Sequence, residues 1–104
     1  MRILIVEDEA IVARRLRRLV EAILGERLQA IRVAATLREG LEHVRNRTID
    51  LLFLDLDLGG KDGFRVLTEA VTGPFHTIVV SARTEEAIRA FELGVTDFVA
   101  KPYT

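Results

Sequence analysis

Residues 50–55 have the sequence DLLFLD, in which four consecutive apolar residues stand between two acids. Short apolar runs without polar alternation are typical of strands that are buried on both faces of a parallel sheet. Comparable runs occur at residues 3–6, 78–80 and 98–100, and residues 30–34 are a fifth candidate. The positions of these runs predict five strands.

Helical patterns lie between the predicted strands. Apolar residues at helical spacing mark a first helix, a capping box at residues 36–39 starts a second, and residues 64–71 mark a third. A fourth helix is expected after Thr84 and should end near Gly94. This alternation of strands and helices predicts a doubly wound α/β fold with right-handed crossovers. The apolar stripe of the first helix comprises Val12, Leu16, Leu19, Val20 and Ile23.

The composition fits one compact domain over residues 1–104. Hydrophobic residues make up 49% of the chain, and 15 basic against 16 acidic side chains leave a formal net charge of -1. This balance does not favour nucleic acid or membrane, and direct binding of either is not expected. The chain has no cysteine, and its first apolar run is too short for a signal peptide or a membrane span. We therefore expect a cytoplasmic protein.

Polar residues lie at the ends of the predicted strands, at the edge where a doubly wound sheet binds ligands. Glu7 and Asp8 follow the first strand, Asp55 the third and Lys101 the fifth, and Ser81 ends the fourth. Taken singly, each has an ordinary explanation, such as a solvated acidic pair, a helix N-cap, a loop serine or a surface lysine. Their common position at strand ends favours one shared site.

Three carboxylates at one sheet edge repel one another unless a cation neutralises them or some of them are protonated. Oxygen ligands without a nearby His or Cys favour Mg²⁺ or a similar hard ion. A carboxylate beside such an ion can attack phosphorus, because the ion and the Lys101 ammonium offset the charge of the phosphoryl oxygens. Ser81 could then donate a hydrogen bond to the same group. The sequence thus indicates a phosphoryl-transfer site with Mg²⁺ as its cofactor.

In five segments the chain resembles the bacterial response-regulator receiver family of two-component signalling. Each segment is short, but all five occur in the order and at the spacing of the family. The resemblance implies a five-stranded parallel sheet in the flavodoxin-like order 2-1-3-4-5. It also implies a sensor histidine kinase as the partner. The matching segments are residues 3–9, 50–55, 62–63, 80–82 and 97–102.

The resemblance also implies roles for individual residues. Asp55 is expected to accept a phosphoryl group. Mg²⁺ is expected to bind the side chains of Glu7, Asp8 and Asp55 together with the backbone carbonyl of Asp57. The chain would then be a signalling domain rather than a conventional enzyme, and its only reactions would be Mg²⁺-dependent self-phosphorylation and autodephosphorylation.

Three further residues have roles that the resemblance links to the phosphorylated state. Lys101 is expected to contact the acyl phosphate, and its bond to Pro102 is expected to be cis. Ser81 is expected to supply the switch hydroxyl. Phe98 matches the aromatic switch position, although an ordinary core aromatic explains Phe98 equally well. Phosphorylation would bias a two-state equilibrium through one new charge-assisted hydrogen bond.

The chain departs from the family pattern in two places. Gly59 stands where the family usually has proline, which predicts a more flexible loop after Asp55. The last helix of the family is missing, so we expect a receiver truncated after its fifth strand. One sheet face should then carry an exposed apolar strip, or a helix or neighbouring chain that fills the gap.

Two expectations concern the parent protein. If the chain is part of a longer protein, an output domain would follow Thr104. Residues 84–104 resemble receivers that are joined to LytTR-type DNA-binding domains. A homodimer is a further expectation, and the sequence does not identify its face.

Two other functions compete with the receiver interpretation. Haloacid-dehalogenase-type phosphatases also have an apolar run followed by Asp-x-Asp, and such an enzyme would use Asp55 as nucleophile and Asp57 as a side-chain acid or base. In this chain, however, the acids Glu7 and Asp8 precede that motif instead of following the lysine. An interaction module that has lost phosphorylation is the second alternative. It is disfavoured because every residue of the acceptor site is present.

Overall fold

A computed structural model describes residues 1–101, and the bond from Lys101 to Pro102 lies outside this range. None of the helices in this range has the length and apolar content to span a bilayer. The strands are β1 (Arg2–Val6), β2 (Ala30–Ala34), β3 (Leu51–Leu54), β4 (Asp57–Leu58), β5 (Lys61–Asp62), β6 (His76–Ser81) and β7 (Asp97–Ala100). The α-helices are α1 (Ala10–Leu24), α2 (Leu37–Asn46), α3 (Phe64–Ala70) and α4 (Ala87–Leu93). Short 3₁₀ turns cover Gly25–Arg27 and Thr84–Glu86.

Five strands form one parallel sheet in the order β2-β1-β3-β6-β7. This order confirms the predicted order 2-1-3-4-5, since β6 and β7 are the fourth and fifth strands of the sheet. Val6 pairs with Leu54, and Ser81 pairs with Ala100. The ends of neighbouring strands are therefore aligned, and the residues that follow them meet at one edge.

Side chains alternate between the two faces of the sheet, as the pleat requires. On one face, the core contains Leu4, Leu52 and Leu54, which are at most 1% exposed and pack with residues of α2, α3 and α4. On the other face, Ile3 and Ile5 pack with residues of α1. Buried strands of this kind give the sheet its continuous apolar runs.

Within residues 1–101, α1 is the helix that packs on the second face. Four strand residues around it, Leu51, Phe53, Ile78 and Val99, are half-buried. The sequence predicts an exposed apolar strip on one face, or a helix or neighbouring chain that fills the gap. In the described part of the chain these side chains are half-buried and not exposed, so that expectation stays a prediction.

The buried stripe of α1 differs from the predicted one. Residues Ala13, Leu16 and Val20 face the sheet, whereas Leu19 and Ile23 are 44% and 70% exposed. The assignment of Leu19 and Ile23 to the buried stripe is therefore wrong. The cause is geometric, because Leu19 lies about 100° and Ile23 about 60° away from Val20, on the same side of the 13-16-20 stripe.

The loop after Asp55 contains a short antiparallel hairpin, β4-β5, where the sequence predicts a flexible loop. Gly59 and Gly60 connect its strands with φ angles of 60° and 79°. Two successive positive φ angles are typical of a type I′ turn, which side chains other than Gly, Asn and Asp seldom adopt. The two glycines that suggest mobility are thus also the residues that a tight turn requires.

Gly63 should be sensitive to substitution, because it packs directly on the backbone that carries Asp55. A Cβ at this position would lie 2.6 Å from the Asp55 carbonyl oxygen and 2.8 Å from the Leu56 Cα. We expect Gly63→Ala to lower the free energy of unfolding by about 2–3 kcal/mol, since backbone atoms must move to make room. Urea unfolding measures the change.

Gly60→Ala is the matched control in the same loop. Gly60 has a φ of 79°, but a methyl group at this position would meet no heavy atom within 4 Å. Its substitution should cost only about 1 kcal/mol, from backbone strain alone. Equal losses in Gly60→Ala and Gly63→Ala would contradict the packing argument.

Candidate functional site

The site residues continue the hydrogen-bond ladder of the sheet beyond the ends of the strands. The backbone N–H of Asp55 donates to the carbonyl oxygen of Val6 at 2.9 Å. The N–H of Lys101 donates to the carbonyl oxygen of Ser81, also at 2.9 Å. These bonds hold Asp55 and Lys101 at the carboxyl edge of the sheet, where the sequence predicts the site.

The ammonium group of Lys101 lies between two buried carboxylates. Its Nζ atom is 2.5 Å from Glu7 Oε1 and 3.2 Å from Asp55 Oδ2, and Glu9 Oε1 is 3.6 Å away. Glu7 and Asp55 are only 3% and 4% exposed. Since buried charges are tolerated only when they are paired, Lys101 is the cation that stabilises this pair of acids in the described residues.

The pKa values of Glu7 and Lys101 are both raised, for different reasons. Burial raises the pKa of Glu7 to about 7, a shift that the hydrogen bond from Lys101 opposes and the Asp55 carboxylate reinforces. Burial alone would lower the pKa of Lys101, but its hydrogen bond to Glu7 and the charge of Asp55 outweigh burial and raise it. Of these two groups, Glu7 is therefore the one that changes protonation near neutral pH, while Lys101 stays charged.

Four acids present carboxylate oxygens close enough to share one cation. One oxygen from each of Glu7, Asp8, Glu9 and Asp55 lies within 4.8 Å of the others. A set of carboxylate oxygens suits a hard divalent ion. The predicted metal ligands Glu7, Asp8 and Asp55 are thus brought together. Glu9 is an acid that the predicted ligand set lacks, and its signal in the sequence is its place directly after the Glu7-Asp8 pair.

The hairpin contacts the acid cluster through its backbone. The N–H of Gly59 donates to Asp8 Oδ2 at 2.9 Å, and the N–H of Asp57 donates to Asp55 Oδ1 at 3.2 Å. Asp57 itself is exposed, and its carboxylate is not among the four clustered acids. The contribution of its backbone carbonyl to a metal site stays a prediction.

Ser81 and Phe98 lie on the neighbouring strands β6 and β7. Ser81 is fully buried, and its Oγ atom accepts a hydrogen bond from the N–H of Arg83 at 3.0 Å. Phe98 is half-buried and packs against the core on the side of α3 and α4. Within residues 1–101, no hydrogen bond joins Ser81 to Asp55, although both residues lie at the carboxyl edge of the sheet.

A cluster of charged and aromatic side chains lies next to Ser81, and the sequence does not predict it. Arg83 is 3.1 Å from Glu86 and 3.7 Å from Asp62, which connects the segment before α4 to the hairpin. The guanidinium carbon of Arg89 lies 4.0 Å from the ring centroid of Phe64 at the start of α3. These contacts connect the segment after Ser81 to the hairpin, and α4 to α3.

Comparisons with known proteins agree with this geometry. The model of the family described as "Response regulator receiver domain" matches residues 3–104. The sensory transduction protein LytR of Staphylococcus epidermidis is 33% identical over 106 residues, which cover 99% of this chain and 41% of that protein. The chain therefore spans about two fifths of the length of this relative.

Solved structures show the same fold. The non-phosphorylated HemR receiver domain of Leptospira biflexa is 29% identical, with a TM-score of 0.84 over 99% of this chain and 83% of that one. A response regulator of Burkholderia pseudomallei, solved with a phosphorylated aspartic acid and a calcium ion, has a TM-score of 0.84 at 23% identity, over 99% of this chain and 61% of that one.

The chain belongs to the response-regulator receiver family. It is therefore a receiver domain of two-component signalling, a family of signalling domains rather than of conventional enzymes. The predicted resemblance is confirmed, and family membership decides against the haloacid-dehalogenase-type phosphatase. The exposed Asp57 carboxylate, outside the acid cluster, is consistent with this outcome.

The raised pKa of Glu7 predicts that the metal-free protein becomes less stable as the pH rises. An acid whose pKa is higher in the folded state stabilises that state below the unfolded pKa, here near 4.5, and the effect is lost as the pH passes the folded pKa of about 7. Between about pH 5 and about pH 8, we expect a loss on the order of 2 kcal/mol, measured by urea unfolding without divalent ions.

Glu7→Gln is the control, because the amide does not titrate. The pKa values of Asp50 and Glu69 are lowered, in each case mainly by a hydrogen bond from an arginine side chain. These two acids therefore change stability only at lower pH. The variant should therefore lose much less stability over the same interval. An unchanged pH dependence in Glu7→Gln would show that another group causes it.

Proposed function

We propose that Asp55 is the phosphoacceptor of this receiver domain and that a sensor histidine kinase is the donor. One observation carries the proposal. The buried Asp55 carboxylate has one oxygen 3.2 Å from the Lys101 ammonium, at a sheet edge with three further acids. This combination supplies a nucleophile, a cation for the phosphoryl oxygens and ligands for a divalent ion in one place.

We propose Mg²⁺ as the ion, held by the side chains of Glu7, Asp8 and Asp55 and by the backbone carbonyl of Asp57. The donor set fits, because all four clustered side chains offer carboxylate oxygens. The calcium ion of the Burkholderia structure supports a divalent ion in a relative with this fold. When bound, Mg²⁺ would neutralise part of the negative charge of the phosphoryl group and the acids.

In the transfer, an oxygen of the Asp55 carboxylate forms a bond to phosphorus while the bond from phosphorus to the imidazole nitrogen of the donor breaks. The electron pair of the broken bond stays on that nitrogen. Lys101 can donate a hydrogen bond to a phosphoryl oxygen after it leaves Glu7, which lies on the other side of its ammonium. Hydrolysis then splits the acyl phosphate into the Asp55 carboxylate and inorganic phosphate.

The proposed switch involves Ser81 and Phe98. The hydroxyl oxygen of Ser81 accepts a hydrogen bond from the backbone N–H of Arg83. The hydroxyl proton of Ser81 is therefore free to be donated to a phosphoryl group on Asp55. Movement of Ser81 towards that group would displace Arg83, which contacts Glu86. It would also vacate space that the half-buried Phe98 ring can enter. Phosphorylation would thus bias two arrangements of β6, β7 and the start of α4.

We propose that residues 1–104 act in the cytoplasm as the receiver unit of a longer regulator. Their phosphorylation state would control an output domain or a partner. A LytTR-type output is supported by the resemblance of residues 84–104 and by the match to LytR. The exposed Ile88 and Phe91 on α4, 74% and 49% accessible, offer an apolar surface for a homodimer or for that output.

Phosphorylation of Asp55 is tested by incubating the chain with phosphoramidate and Mg²⁺ and measuring its intact mass. We expect a gain of one phosphoryl group, which is lost in Asp55→Asn and without the divalent ion. Lys101→Met should lower the rate of incorporation by about tenfold or more, because the phosphoryl oxygens lose a charge-assisted hydrogen bond. No mass gain in a folded, Mg²⁺-loaded sample would refute the proposal.

Asp57→Asn is the matched control. It has the same change of side chain as Asp55→Asn, two residues along the chain, and retains the backbone carbonyl that the proposal requires. Phosphoryl incorporation should therefore persist in Asp57→Asn. Its loss, together with turnover of a free phosphomonoester by the parent chain, would support a phosphatase with Asp57 as acid or base instead.

A further inference from the structure

A cavity opens at the opposite end of the sheet from Asp55. It has a volume of about 350 Å³ and lies between the start of β1, the edge strand β2 and the end of α2. Its lining includes the buried apolar side chains of Leu4 and Ile49, which are 1% and 7% exposed. Three arginines, Arg2, Arg32 and Arg47, also line it.

The fold brings these arginines together from separate parts of the chain. Leu4 pairs with Arg32 across β1 and β2, and Arg2 is two residues before Leu4. Side chains at alternate strand positions share a face, so Arg2 and Arg32 lie on the face of Leu4, which packs against α2. Arg47 follows the last residue of α2 and reaches the same cavity.

The cavity carries an excess of positive charge. Arg2 is paired with Asp50, whose carboxylate accepts hydrogen bonds from the Arg2 side chain at 3.2 and 3.4 Å. These bonds are the main reason that the pKa of Asp50 is lowered, so this acid stays ionised and paired with Arg2. The guanidinium of Arg32 donates a hydrogen bond to the Ile31 carbonyl oxygen at 3.3 Å, and neither Arg32 nor Arg47 forms an ion pair within the described residues.

Among the described residues, some arginines pair with an acid and others, such as Arg15 and Arg18 of α1, do not. Arg45 pairs with Glu69, and both Arg83 and Arg89 pair with Glu86. What distinguishes Arg32 and Arg47 is that both line one cavity, and that no acid is among its lining residues. Two further polar groups line the same space, the imidazole of His43 and the hydroxyl of Thr48.

We propose that this cavity is a binding site for a small organic phosphate, of the size of a nucleoside monophosphate. The planar guanidinium groups of Arg32 and Arg47 can each donate two parallel hydrogen bonds to phosphate oxygens. The hydroxyl of Thr48 can donate another. The apolar part of the ligand would lie over the apolar part of the lining, and the volume falls within the usual range for small-molecule sites.

The test is a titration of the ¹⁵N-labelled chain with adenosine monophosphate, without divalent ions, followed by amide chemical shifts. We expect shifts at Arg32, Thr48 and Ile49 and none at Ser81 or Lys101, because those two residues belong to the Asp55 site. Inorganic phosphate should shift the same cavity amides with an affinity about tenfold lower, since it lacks the apolar portion.

Two double variants make the test specific. Arg32→Gln with Arg47→Gln should weaken binding of adenosine monophosphate by about tenfold or more, through the loss of charge-assisted hydrogen bonds. Arg15→Gln with Arg18→Gln removes the same charge from the exposed surface of α1 and should change the affinity by less than about twofold. The amide spectrum of each variant shows whether it is folded.

Three results would overturn the proposal. The first is the absence of shifts at the cavity at millimolar nucleotide, and the second is a set of shifts confined to Ser81 and Lys101. The third is an equal loss of affinity in both double variants. This result would mean that the affinity depends on the net charge of the protein and not on binding at this cavity.

Discussion

The contact of the partly buried Lys101 ammonium with Glu7 and Asp55 is the interaction on which the rest of the site depends. Two carboxylates that are almost inaccessible to water cannot both stay ionised without a cation nearby. Lys101 supplies that cation from the end of the edge strand β7, whereas Glu7 follows β1 near the centre of the sheet. The acids and the lysine therefore meet only when the four neighbouring strands β1, β3, β6 and β7 are in place.

This dependence gives the site two ways to balance its charge. Without a metal ion, Lys101 contacts Glu7 and Asp55 together, and burial keeps the pKa of Glu7 near neutral. In the proposed function, the acids would bind a divalent ion, and Lys101 would then be free to donate a hydrogen bond to a phosphoryl group. The same few groups can thus stabilise the resting domain and the phosphorylated one, which is the property that a switch needs.

The strand ends could be predicted from the sequence because they require only local patterns. Runs such as residues 51–54 identify buried strands, and Asp55 follows directly from the rule that ligands bind at the carboxyl edge. The participation of Glu9 and the contact of Lys101 with Glu7 could not be predicted, since both depend on side-chain conformations. The exposure of Leu19 could not be predicted either, because an apolar pattern does not show which part of a helix faces the sheet.

The most direct test of this switch mechanism is a crystal structure of the chain with Mg²⁺ and beryllofluoride, which mimics a phosphoryl group. We predict beryllofluoride on a carboxylate oxygen of Asp55, a metal ion among the acids, and Lys101 Nζ moved from Glu7 to a fluorine atom. Beryllofluoride on a different residue, or Lys101 still bound to Glu7 with no metal ion among the acids, would contradict the mechanism.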